Sequence, residues 1–164
     1  MHILYHDMFM FPISTYIFLF FAIHPTPKGV GFRTVFVIGD DEYPYGMPMN
    51  HFYCEEDGKI YFHGSKMGHK IDAMKRHNKA SFCVYDEGFK REGEWALNIK
   101  SVIVFGKIEF IEDRETTYKI AEMLSHKFTS DEDYIQHEIQ HSGPGTLLFA
   151  LVPEHMSGKI VNES

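Results

Sequence analysis

From residue 34 onward, short apolar and β-branched runs alternate with turn-forming clusters, and the spacing predicts a strand-rich domain. Residues 34–38 read as a strand, and Gly39-Asp40-Asp41-Glu42 reads as a turn. An extended run at 47–53 is turned back by Glu55-Glu56-Asp57-Gly58. Residues 59–63 place Ile60 and Phe62 on one face of a further strand. A short helix over 68–77 then carries Ile71 and Met74 at helical spacing. Strands are predicted again at 81–85 and 101–111, with Gly106 as a bulge or a point of close backbone approach.

Beyond Asp113 the period lengthens. Thr117, Ile120, Ala121, Leu124 and Phe128 form a helical stripe, and Ser130 with Asp133 reads as the capping pair of a second helix that Gly143-Pro144 ends. Residues 146–152 form a last apolar strand. Many short antiparallel strands with a few helices predict a mainly β fold, a small barrel with helical additions. A chain of 164 residues suits one such domain.

The N-terminal part breaks this pattern. Residues 8–23 are uncharged and apolar, interrupted by Pro12, and fall short of the ~20 residues that a membrane-spanning helix needs. No Lys or Arg precedes Asp7, which argues against a secretory signal, and residues 24–31 read as a Pro/Gly linker. Residues 1–31 are therefore expected to be an atypical apolar extension and linker, with a buried helix or strand as the second reading and a membrane anchor as the third, and 32–164 the functional domain. A net charge of −7 with scattered basic residues argues against nucleic acid as a partner. Cys54 and Cys83 sit in apolar runs without metal-ligand spacing, which fits a reduced, cytoplasmic setting.

The densest chemistry lies where the strand over 59–63 runs into the helix over 68–77. Gly64 and Gly68 allow close backbone approach, Ser65 offers a hydroxyl, and Lys66 and Lys70 offer charge. A helix starting near Gly68 presents unpaired N–H groups with a favourable dipole. Such a strand-turn-helix suits a phosphorylated small molecule; the same composition also serves in plain solvated connections.

Three stretches, 39–50, 59–74 and Lys79-Ala80-Ser81-Phe82-Cys83-Val84, together resemble the pyridoxamine 5'-phosphate oxidase-like flavoproteins. They are most similar to the branch of 5-nitroimidazole resistance proteins. The resemblance spans roughly residues 34–160 and implies an FMN-binding split β-barrel, a homodimer with each flavin at the subunit interface. It implies that Gly68, His69 and Lys70 occupy a phosphate-binding serine-basic-lysine triplet. Gly68 departs from the serine, so Ser65 or Lys66 would substitute for the lost hydroxyl. The flavin ring is implied to lie along Met47, Pro48, Met49 and Asn50 and along Tyr61, Phe62 and His63, with Ser101 near the cofactor from either subunit.

Several of these positions carry two readings. Asn50 either hydrogen-bonds the ring or finishes a strand edge, and His63 is either a cofactor neighbour or a satisfied barrel histidine. His51 is the candidate proton donor, since an imidazole beside the flavin suits reductive chemistry near neutral pH; with eleven histidines in the chain, an incidental histidine is the other reading. Trp95 either stacks on a ring or sits at the surface. The implied reaction takes electrons from a donor through FMN to a small electrophile such as a nitroimidazole; the alternative is a flavin-binding protein without turnover.

A rival motif, His137-Glu138-Ile139-Gln140-His141, spells the zinc-hydrolase pattern on a predicted helix. Eleven histidines dilute that signal, no G-x-x-H extension follows, and the helix stops at Gly143-Pro144. No metal is expected there.

Overall fold

The computed structural model describes residues 32–161, so the expectations for residues 1–31 lie outside the described residues. Seven strands form one antiparallel sheet: β1 (Phe32–Ile38), β2 (Pro44–Pro48), β3 (Phe52–Tyr53), β4 (Ile60–Ser65), β5 (Lys79–Tyr85), β6 (Ile99–Ile111) and β7 (Thr146–Val161). Three helices interrupt them: α1 (His69–Arg76), α2 (Arg114–Ser125) and α3 (Glu132–Ser142). The spatial order is β2-β1-β5-β6-β7-β4-β3.

The sheet curls around a single interior, because inward residues from every long strand meet there: Val35, Met47, Phe62, Phe82, Val104 and Phe149. Phe62 stacks on Phe149 at 5.5 Å and meets Phe82 edge-on at 5.4 Å, geometries that aromatic quadrupoles favour. Helix α1 adds Ile71, Ala73 and Met74 to the same core. A smaller cluster of Tyr61, Ile120, Leu148 and Ala150 forms on the other face, against α2. Strand β4 is therefore covered on both sides, with Ile60, Tyr61 and Phe62 buried in succession. The edge strands β2 and β3 are consecutive in the chain yet do not pair. Residues 49–51 bridge the gap between them, and this is where the barrel is split.

The sequence pattern needs four corrections. The extended run at 47–53 breaks at residues 49–51. Asp131, not Ser130, caps α3, its carboxylate accepting from Tyr134 N–H at 3.0 Å. Phe128 lies past the end of α2 and is exposed. The last strand runs well beyond residue 152, because its second half pairs with β6 across a bulge that offsets the register at Phe105/Gly106 and leaves Glu154 unopposed. Gly106 marks the close approach expected of it: a Cβ there would lie 2.1 Å from the Val152 carbonyl oxygen.

Candidate functional site

The turn from β4 to α1 is shaped by two glycines. Gly68 caps α1 at φ 117°, a backbone region that side chains disfavour, and its carbonyl accepts from Ile71 and Asp72 N–H. The His69 and Lys70 N–H groups are left facing out of the helix start, at the positive end of its dipole. The Lys70 side chain folds back over β4, so that a Cβ on Gly64 would lie 2.7 Å from its Nζ. Gly64 thus makes the cradle in which the ammonium rests.

Beside this cradle a cavity of about 350 Å³ opens, lined by Tyr45, Met47, Pro48, Met49, Asn50, His63 and Lys70. It lies where β2 gives way to residues 49–51, beside the split. His63 is pushed below its ordinary pKa, first by partial desolvation and then by the Lys70 charge, and enters the wall as a neutral imidazole near pH 7. Around the helix start, Asp40 accepts from Arg76 and lies 3.6 Å from His69 Nδ1, and the Tyr45 ring lies 4.6 Å from the His69 ring. Tyr45 went unrecognised as a site residue in the sequence, although its period-two spacing from Met47 on one strand was available as a signal.

The structure thus brings Met47, Pro48, Met49, Asn50, His63 and Lys70 together, with Gly64, Gly68 and His69 alongside. The other candidates face elsewhere. Ser65 Oγ spends its hydrogen bonds within the turn, donating to the Met67 carbonyl at 3.0 Å and accepting from Met67 N–H. Lys66 Nζ donates to the Pro144 carbonyl, tying the turn to the segment after α3. The Phe62 side chain belongs to the barrel core and Tyr61 to the cluster under α2, where its hydroxyl donates to Asp57 at 2.5 Å, and neither lines the cavity. Ser101 sits at the far end of β6, opposite Tyr85 and Lys159. Trp95 is exposed.

His51 turns away from the cavity and into the core. It is 3% exposed, with its ring 4.9 Å from that of Phe82. Burial, reinforced by Lys127 and Arg33, holds its pKa well below the ordinary value, so the ring is neutral at pH 7. The position next to Asn50 that made it a candidate proton donor in the sequence is the one the split directs inward.

On α3, the His137 and His141 rings stack at 6.0 Å. Among the described residues they belong to no group of three metal-ligating side chains. The one such group is Glu122, His126 and Glu132, at the α2–α3 turn.

The sequence model of the pyridoxamine 5'-phosphate oxidase family matches residues 30–160. The chain belongs to this family. The fold agrees: a candidate 5-nitroimidazole antibiotic resistance protein from Bacteroides thetaiotaomicron is 22% identical with a TM-score of 0.64, over 81% of this chain and 78% of that one. A conserved hypothetical protein from Mycobacterium tuberculosis is 17% identical with a TM-score of 0.70, over 93% and 86%. An FAD-binding protein from Mesorhizobium loti is 20% identical with a TM-score of 0.51, over 81% and 88%. At these identities the likeness establishes the split-barrel fold. No curated protein matches the chain. Among the described residues, no helix of this oxidase-family chain is long and apolar enough to cross a membrane.

Proposed function

We propose that this member of the pyridoxamine 5'-phosphate oxidase family binds FMN and acts as an oxidoreductase on a small electrophile such as a nitroimidazole. The observation that carries the reading is the Gly64–Lys70 cradle at the start of α1, opening onto a cavity with apolar and amide walls. Its two ends differ as an FMN site requires. Lys70 and the outward N–H groups of His69 and Lys70 suit a phosphate dianion. Met47, Pro48, Met49 and Asn50, with the β4 backbone up to His63, suit the flat ring and its polar edge. The flavin-binding neighbour from Mesorhizobium loti and the nitroimidazole-resistance neighbour from Bacteroides support the same assignment.

Bound flavin supplies the electron-transfer chemistry, and the protein supplies orientation and electrostatics. Lys70 contributes fixed positive charge at the phosphate end. His63 adds hydrogen-bonding capacity without adding charge, and Asn50 offers both an amide donor and an acceptor. With His51 neutral in the core, protons for a reduced substrate are drawn from solvent at the open cavity mouth.

The same reading includes a homodimer. On the outer sheet face, Phe36, Ser81 and Phe105 form one row, and Thr34, Cys83 and Ile103 the next. Phe36, Ile103 and Phe105 are 36–45% exposed on a face that antiparallel sheets ordinarily give to polar side chains. Covering it with a second copy would bury these residues beside Ser101. The free thiols of Cys54 and Cys83 fit a reduced, cytoplasmic location.

The test is the visible spectrum of the protein after reconstitution with FMN, followed by reoxidation of the reduced form with nitroimidazoles. One FMN per subunit and acceptor-dependent reoxidation are expected. Colourless protein in excess FMN overturns the reading, and bound flavin that no nitroimidazole reoxidises reduces it to flavin binding alone.

A further inference from the structure

Arg33 and Lys127 gather at the inner side of residues 49–51, away from the cavity. Arg33 occupies the first inward position of β1, two residues before buried Val35 and opposite buried Val84, and its carbonyl accepts from Met49 N–H at 3.3 Å. Lys127 follows α2 and donates to the His51 carbonyl at 2.8 Å. Both side chains are half-buried, and among the described residues no carboxylate pairs with either. Two like charges withdrawn from water without an anion are unfavourable twice over, through desolvation and through mutual repulsion. The strain registers on Lys127, whose pKa falls to about 8 through burial and then the Arg33 charge. Arg33 is itself lowered by burial.

We propose that Arg33 and Lys127 form a binding site for a small carboxylate, separate from the phosphate end at Lys70. A guanidinium presents two parallel N–H donors that match the two oxygens of a carboxylate, while the ammonium adds a point charge. The carboxylate would relieve the repulsion that the pair now carries. It would reach the barrel end through the solvent-exposed parts of the two side chains. The site stands on the cation pair and does not depend on flavin binding.

The experiment titrates the full chain with sodium acetate against sodium chloride at matched ionic strength, read by thermal unfolding and calorimetry at pH 7. Acetate-specific stabilisation is expected. Arg33→Gln and Lys127→Gln should each weaken acetate on the order of tenfold, and Arg33→Lys should weaken it despite the retained charge. Lys75→Gln, in the exposed last turn of α1, should bind acetate like the unmodified protein. The charge acting on Lys127 is Arg33 from β1, and the group facing it from the bridging segment is the neutral His51, whose carbonyl it bonds. Acetate affinity should therefore fall between pH 7 and pH 9 in the unmodified protein and stay level in Lys127→Gln. Equal responses to acetate and chloride overturn the proposal, as does undiminished acetate binding in Lys127→Gln, which decides the matter even if Arg33→Gln fails to fold.

Discussion

The two sides of residues 49–51 treat positive charge in opposite ways. On the cavity side, Lys70 lies over Gly64 at a helix start, where solvent and the open mouth leave it ready to meet an anion. On the inner side, Lys127 and Arg33 are drawn into the barrel end beside a buried His51; burial lowers both, and the Arg33 charge lowers Lys127 further. Adjacent residues supply the two environments, Asn50 lining the cavity and His51 entering the core. A cation in contact with water can wait for an anion even at the positive end of a helix dipole, whereas one at the end of a hydrophobic core calls for a partner.

Both sides rest on Phe62, which stacks within the core, lies 6.5 Å from the His51 ring and directly precedes His63. Removing it should break the comparison altogether: Phe62→Ala is expected to cost about 3–5 kcal/mol in urea unfolding and to weaken ligands on both sides. A loss below about 1 kcal/mol would show that the two sides do not share this core.

Lys70→Ala sharpens the cavity side alone. It should weaken FMN by about 1.5–3 kcal/mol in a fluorescence titration while leaving riboflavin almost unchanged, because only FMN carries the phosphate. Equal losses for both ligands would remove Lys70 from the phosphate end.

The smallest effect isolates the inner side. The folded pKa of Lys127, about 8, lies below its unfolded value near 10.5, so between these values the unfolded chain holds the extra proton. Stability attributable to Lys127 therefore rises with pH through this window. The difference between the unmodified protein and Lys127→Met should shrink by roughly 1–2 kcal/mol from pH 7.5 to 9.5, allowing for partial solvent screening. Urea unfolding at both pH values measures it, and a pH-independent difference would mean that Lys127 is not repelled in the folded state. His51 and His63, both lowered, work on the acid side: the unfolded chain gains their protons first, so stability is lost as pH falls below about 6.5.

Much of this architecture is written locally. The β-branched and apolar runs in residues 34–38 and 101–111 mark β1 and β6, the spacing of Ile71 and Met74 marks α1, and Gly106 announces the point where β6 meets β7. Gly64, Gly68 and Lys70 likewise point to an anion-binding turn, because backbone freedom and charge at a helix start depend on neighbours within a few residues. The misplaced details have long-range causes. Lys66 looks like an equal of Lys70 until Pro144, 78 residues on, supplies a carbonyl for it. The last strand looks finished at residue 152 until β6 supplies a partner for its second half.

Period, turn chemistry and the phosphate-like motif were determined by the sequence itself, since each is a property of a few consecutive residues and their allowed backbone conformations. Only the tertiary structure decided that Asn50 faces a cavity while His51 faces the core, and that Arg33 and Lys127, 94 positions apart, share one barrel end. Those outcomes depend on where the sheet fails to close and on which distant side chains fill the space. Burial and electrostatic coupling across such distances belong to the packed molecule and to no local stretch of the chain.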